Sequence, residues 1–213
     1  MKKNASQNAP FDDLLVVDIG GTIATGYAGK LYADYGARVV NVEPESGFAT
    51  RQVGPFLANG DSALHGYLHA NKEHVVEANS LLDHPAIAAA DLVLLDPNTL
   101  PSPLSVEDFN TNVCAISWFG LNGPYAQYQA TDQAIYALIG LMQGVGKPGE
   151  PPIIQTGYHA QILGGVSAFN GSLGYLVGQH DKTNAFLLDA SILEANLCLT
   201  ELGAIASFTD MPL

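Results

Sequence analysis

The sequence predicts an α/β protein built on an open, mostly parallel sheet with helices on both faces. Three observations carry this prediction. Leu14-Leu15-Val16-Val17-Asp18 is a continuous apolar run stopped by Gly20-Gly21, the pattern of a strand buried on both faces. Residues 26–35 then place Ala28, Leu31, Tyr32 and Tyr35 at helical spacing, and Gly36 follows where a helix C-cap glycine belongs. Val39-Val40-Asn41-Val42-Glu43 resumes as a second apolar strand, so strand, glycine turn, helix and strand follow within about 30 residues, the signature of a βαβ unit with parallel strands.

The remaining elements extend this unit. Residues 44–65, punctuated by glycine and proline, read as a loop long enough to carry function. Val75 to Glu77 makes at most a short strand, and residues 86–90 a brief helix. Leu92-Val93-Leu94-Leu95-Asp96 and Val113-Cys114-Ala115-Ile116-Ser117 are further strands. Residues 132–143 carry apolar side chains at helical spacing and read as a buried helix. Residues 160–177 form a second, whose many Gly, Ala and Ser residues permit close approach of another backbone. Phe186-Leu187-Leu188 is a last strand and residues 190–208 a last helix. The arrangement is Rossmann-like, and ligands of such sheets sit at the carboxyl ends of the strands. Asp18 to Thr22, Glu43-Pro44, Asp96-Pro97 and Ser117 to Gly120 are therefore expected around one crevice.

Composition narrows the function. Eight Lys+Arg against 21 Asp+Glu leave a net charge of −13, which repels phosphate backbones and anionic membranes, so nucleic acid is not an expected partner. A small anion remains compatible, because a helix N-terminus offers free N–H groups. No apolar stretch is long enough to span a membrane, and the first ten residues lack the apolar region of a secretion signal. A cytoplasmic protein with a disordered tail over 1–10 and one domain over 11–213 is expected. Cys114 and Cys198 show neither metal nor disulfide spacing and are expected as buried thiols; no metal site is expected.

Asp18-Ile19-Gly20-Gly21-Thr22 is compatible with three readings. It matches the phosphate loop of sugar kinases of the actin-like fold, which requires a β-hairpin next. It also suits a dinucleotide site with Glu43 as the ribose-binding acid, although Gly20, Gly21 and Gly26 do not have the G-x-G-x-x-G spacing. A tight strand-to-helix turn with no ligand is the third.

Five segments in order resemble the N-terminal half of family III CoA-transferases, which include acyl-CoA racemases. Residues 34–44, Asp34 to Pro44, resemble the family's "LLADLGADVIKVEPP" opening; residues 50–56 its next loop; Asn71-Lys72 its Asn-Lys-(Arg)-Ser turn; and Ser117 to Tyr125, with Asp132, its "SGFGQTGPY" and "GYD" stretches. Residues 151–165 align with the segment carrying the nucleophilic aspartate, where this chain has Gln161. The resemblance implies coenzyme A as ligand, with Gly21, Thr22, Ile23 and Ala24 approaching the nucleotide and Arg51, Asn71, Lys72 and Asp96 nearby. It implies an acyl-CoA and a small carboxylic acid as substrates, and a homo- or hetero-oligomer.

In that family a carboxylate attacks the acyl-CoA thioester. An amide at Gln161 lacks that capacity, so Asp132 is the substitute candidate, set against a plain helix-capping role. The racemases place a histidine directly before the residue matching Asp132, where this chain has Thr131; His159 is the alternative proton carrier. The family's small domain is expected to be absent, and the chain reads as a truncated or partner-dependent transferase or a non-catalytic CoA-binding subunit.

Overall fold

The computed structural model describes residues 9–77, 81–147, 149–178 and 184–200. Strands β1 (Leu15–Asp18), β2 (Arg38–Pro44), β3 (Glu73–Glu77), β4 (Leu92–Leu95), β5 (Val113–Ser117) and β6 (Leu187–Ser191) form one sheet in the order β3-β2-β1-β4-β5-β6. Every neighbouring pair is parallel. This is the doubly wound order, in which the chain leaves β1 in one direction and returns at β4 to build the other half.

Helices α1 (Ile23–Asp34), α2 (Ala63–Leu68), α3 (Pro85–Ala89), α4 (Asp132–Leu138), α5 (His159–Gly178) and α6 (Ile192–Leu197) complete the layers. Alternation along the strands divides the core in two. Val16, Val39, Leu92, Leu94, Cys114 and Ile116 face α1, α4, α5 and α6. Val17, Val40, Val42, Val93, Leu95 and Ala115 face α3 and the loop residues Val106 and Phe109. Burial on both sides explains the continuous apolar runs that mark these strands in the sequence.

Several elements differ from expectation for local reasons. No hairpin follows Gly21: α1 begins at Ile23, with Thr22 as N-cap and Thr25 completing a capping box, which excludes the kinase topology. β3 spans five residues and pairs with β2 along its length, and the Arg38 guanidinium grips Glu73 at its start through two bonds of 2.9 and 2.8 Å. The helix expected over 132–143 stops at Leu138, because Gly140 takes φ +77° and the chain continues as a 3-10 turn at Leu141–Gly144. β6 runs on to Ser191, whose hydroxyl accepts from Glu194 N and starts α6 there rather than at 190. The remainder of the expected last helix, beyond residue 200, lies outside the described residues, as do residues 1–8 of the expected tail. Cys114 is buried as expected, whereas Cys198 is exposed, because it opens the 3-10 turn after α6, where its thiol donates to the Ala195 carbonyl.

Several small residues of α5 meet packed neighbours within the fold. A Cβ at Gly165 would lie 2.6 Å from Ala24 O of α1, and one at Gly164 2.7 Å from the Ile192 side chain of α6. Farther along, Tyr32 Oη pairs with Ser172 Oγ at 2.8 Å, and Phe169 meets the Tyr32 ring edge-on. The contrast with Gly174, which has no atom within 4 Å of its Cβ position, is testable. Gly165→Ala is expected to destabilise the protein by about 1–3 kcal/mol through overpacking. Gly174→Ala is expected to stabilise it by roughly 0.5–1 kcal/mol through helix propensity. Urea denaturation of both variants reads the difference; equal effects would mean that α1 and α5 are not in backbone contact.

Candidate ligand site

The first half of the sheet ends in a turn whose geometry is set by one buried carboxylate. Asp18 Oδ1 accepts from Gly20 N at 3.1 Å, and Gly21 takes φ +63°, which reverses the chain into α1. Glycine is required at position 20, since a Cβ there would lie 2.5 Å from Thr25 Cγ2 and 2.9 Å from Asp96 N. The β4 loop is tied to this turn by Thr99 Oγ1, which donates to Gly20 O at 3.0 Å. Asp96 Oδ1 accepts from the backbone and side chain of Asn98 at 2.9 and 3.1 Å. Burial pushes the Asp96 carboxyl above the usual range, opposed by those Asn98 bonds.

Where the sheet reverses, between the carboxyl ends of β1 and β4, a cavity of about 480 Å³ opens. It is lined by Gly21, Thr22 and Ile23 after β1, by Ala49, Thr50 and Val53 after β2, and by Asp96, Asn98 and Thr99 after β4; Trp118, Gln129 and Gln161 complete it. Of the residues singled out in the sequence, Gly21, Thr22, Ile23, Asp96 and Gln161 meet here. Ala24 is buried behind them. A second cavity of about 370 Å³, apolar on its Val42, Phe48, Leu81 and Pro101 sides, shares Gly21, Ala49 and Thr99 with the first.

Gln161 lies in the first turn of α5 and is held by Asp132, the first residue of α4. Asp132 Oδ1 accepts from Ala160 N at 2.8 Å and from Gln161 N at 3.2 Å, while Oδ2 accepts from Gln161 Nε2 at 2.8 Å. Asp132 thus caps α5 from another helix, and its own helix is capped by Thr131. Its carboxylate is buried and does not line the cavity. His159 is exposed and stands outside the cavity as well.

Arg51, Asn71 and Lys72 do not line either cavity. Lys72 is enclosed, its side chain 0% exposed; its ammonium donates to Gly26 O at 2.9 Å and stands 3.4 Å from Asp18 Oδ2. Burial lowers its pKa, and the Asp18 charge works against that shift. Asn71 is exposed in the left-handed conformation, φ +65°. Arg51 forks onto Glu43, with Nε and Nη2 each 2.7 Å from a carboxylate oxygen. Glu43 also receives Phe48 N at 3.1 Å and His74 Nδ1 at 2.7 Å, so both its oxygens are engaged by the protein. Burial disfavours its charge, but the Arg51, His74 and Phe48 bonds outweigh that and hold the carboxyl down to about 2.

Behind the β2 side of the cavity lies a cluster that sequence reasoning missed. The His65 and His69 rings pack at a tilt of 42° with centroids 4.4 Å apart, and the His74 ring stands 5.9 Å from each. Thr50 connects them to the cavity wall, its Oγ1 2.9 Å from His65 Nδ1 and 3.4 Å from His69 Nε2. Burial, reinforced by neighbouring Arg51 and Lys72, lowers the His65 pKa to about 4; burial with Lys72 lowers that of His69 to about 2. The signal available in the sequence was three of six histidines within ten residues, two of them at i, i+4.

With this geometry established, the model of CoA-transferase family III matches residues 11–77 and 112–210. The chain belongs to CoA-transferase family III. Among curated relatives, it is 28% identical to acetyl-CoA:oxalate CoA-transferase of Acetobacter aceti, over 92% of this chain and 54% of that protein. It is 24% identical to the alpha subunit of succinyl-CoA–L-malate CoA-transferase of Chloroflexus aurantiacus, over 89% of this chain and 48% of that one. Among solved structures, a CAIB/BAIF family protein from Brucella suis superposes with a TM-score of 0.79 at 23% identity, over 95% of this chain and 58% of that chain. The chain therefore spans about half the length of the curated family III relatives it matches. No helix among the described residues is long and apolar enough to cross a membrane.

Two expectations follow from the site's electrostatics. In the unfolded family III chain His65 and His69 titrate near 6.5, whereas in the fold they stay neutral to about 4 and 2. Their contribution to stability is complete above pH 6.5 and is lost as pH falls through the window below it, and Glu43 adds a loss in the same direction below 4.5. The thermal midpoint should fall on acidification from pH 6.5 to 4, with a shallower slope in His65→Gln; a flat profile would contradict the neutral cluster. Removing the shared acceptor in Asp132→Ala is expected to lower stability by about 1–3 kcal/mol, because two helix amides and the Gln161 amide lose their partner. Urea unfolding measures it.

Proposed function

We propose that this chain supplies the CoA-binding half of an enzyme that transfers CoA between an acyl-CoA thioester and a small carboxylic acid, and that position 161 no longer provides the nucleophile. One observation carries the first part. Residues far apart in sequence, Gly21 to Ile23, Asp96 to Thr99 and Gln161, converge on a single cavity at the point where the sheet reverses direction, the location at which doubly wound sheets bind ligands. The first-turn amides of α1 outside the Thr22–Thr25 capping box, those of Ile23 and Ala24, favour an anionic group there, and no lysine or arginine is among the residues lining the cavity.

The second part rests on the Gln161 amide. A nucleophilic carboxylate must attack the thioester carbonyl and later leave as an acyl carrier. Gln161 is neutral, and one N–H of its Nε2 donates to Asp132. Asp132 in turn has three N–H donors on its two oxygens, which makes it the anchor of α5 rather than an attacking group. Asp96 is the one carboxylate among the residues lining the cavity. The same Gln161–Asp132 pairing favours a second reading, a CoA-binding subunit whose partner performs the chemistry. A homo- or hetero-oligomeric contact belongs to this reading, and the individually exposed apolar side chains of Leu138, Ile153, Ile154, Tyr175 and Val177 support it.

Calorimetry with CoA and intact-protein mass spectrometry after incubation with acetyl-CoA or succinyl-CoA test the two parts separately. CoA is expected to bind the wild type, with no covalent adduct; absence of binding would sink the first part. Gln161→Asp is expected to gain a hydroxylamine-sensitive acyl adduct. A wild-type adduct that disappears in Asp96→Asn or Asp132→Asn would overturn the second part and name the true nucleophile.

A further inference from the structure

We propose that Glu43, His65 and His74 form a binding site for a divalent first-row transition metal ion, with Zn²⁺ as the type case. The three residues come from β2, α2 and β3, and their nearest ligand atoms lie within 4.8 Å of one another. A tetrahedral Zn²⁺ with bonds of roughly 2.0–2.2 Å holds its ligands about 3.3–3.6 Å apart, so closing the set asks for side-chain movements on the order of 1 Å. Two imidazoles and a carboxylate are a ligand set suited to Zn²⁺ and its first-row neighbours. The rows of β2 and β3 fix two of the donors, since Asn41 stands opposite His74 and Glu43 opposite Val76.

Protonation states in the cluster suit a metal. Glu43 is ionised and His65 neutral over the physiological range. The Lys72 ammonium can only donate, so His69 Nδ1, 3.2 Å away, accepts, and its Nε2–H points to Thr50 Oγ1. Thr50 Oγ1 has two lone pairs and takes a second N–H from His65 Nδ1 at 2.9 Å when His65 binds metal through Nε2. An acceptor for the other ring N–H of a ligating histidine, which fixes its tautomer, is the usual outer support of such sites, and here the Thr50 hydroxyl takes that place. His74 Nδ1 already sits 2.7 Å from Glu43 Oε1, and a metal ion replaces the proton between them. Its side chain is about one third exposed and supplies the entry path. Asn41, whose Nδ2 contacts both His69 and His74, leaves its buried Oδ1 without a partner, so polar pairing inside the cluster is incomplete.

Two cations oppose the metal. Lys72 lies behind His69, and Arg51 occupies both oxygens of Glu43. The Arg51 side chain is 44% exposed, so it can yield one oxygen and return to water. Arg51 therefore acts as an internal competitor that weakens the site. It also explains why linear spacing hides the site: the ligands are separated by 22 and 9 residues in sequence and meet only across three elements.

The test uses the full chain and Co²⁺ as a spectroscopic probe, with Zn²⁺ as competitor. One equivalent of Co²⁺ with visible d–d absorption, displaced by Zn²⁺, is expected. His74→Ala and His65→Ala should each weaken binding by tenfold or more, Arg51→Met should tighten it, and His159→Ala should leave it unchanged. Absence of stoichiometric Co²⁺ binding overturns the proposal, as does binding that survives His74→Ala. Should His65→Ala fail to fold, His74→Ala and Arg51→Met still decide, since both alter partly exposed side chains.

Discussion

The buried pairing of Asp18 with Lys72 is the constraint on which the ligand side of this fold depends. Both side chains are 0% exposed, and a charge placed there alone would be strongly destabilising. One oxygen of Asp18 shapes the glycine turn, while the other faces the ammonium, which also reaches the carbonyl of Gly26 inside α1. Gly29 is the space for that ammonium, because a Cβ there would come within 2.8 Å of Nζ. A single ion pair thus joins the end of β1, the first turns of α1 and the entry to β3, and it fixes the floor of the cavity before any ligand arrives.

A second buried carboxylate organises the opposite wall. Asp132 gathers the first amides of α5 and the Gln161 side chain, so the helix that brings Gln161 to the cavity is oriented by a buried carboxylate on another helix. An aspartate at 161 would face that anion at hydrogen-bonding range and raise the cost of ionising both. An amide removes this repulsion and supplies a donor instead. The amide is thus coherent as local structure: it ties the first turn of α5 to Asp132 of α4 and leaves the cavity open beside it.

The third wall, formed by Ala49, Thr50 and Val53, rests on the histidine cluster. Glu43 orders Phe48 and Arg51, and Phe48 in turn packs where a Cβ at Gly21 would lie, 2.5 Å from its ring. Changes in the charge or ligation of the cluster therefore reach the glycine turn through Phe48 and the cavity wall through Thr50. Acidity and any bound cation act on the same few bonds.

Read from sequence, the doubly wound sheet was legible because β1, β2, β4 and β5 are buried on both faces and write that burial as unbroken apolar runs. β3 and β6 were seen only in part, since they lie at the edges, where the polar residues Glu73 and His74 in one and Asp189 and Ser191 in the other interrupt the apolar run. The glycine turn, Asp96 and the position of Gln161 were legible because backbone conformation and family resemblance mark individual residues. The roles of Lys72, Arg51, Glu43 and Asp132 were decided by tertiary structure alone. A charged side chain in the sequence carries no sign of whether it meets solvent, ligand or an opposite charge, and here each partner comes from a different element. Sequence by itself determined where the chain extends, turns and coils, because those choices are local; only packing determined which charges face one another, because that depends on distance in space.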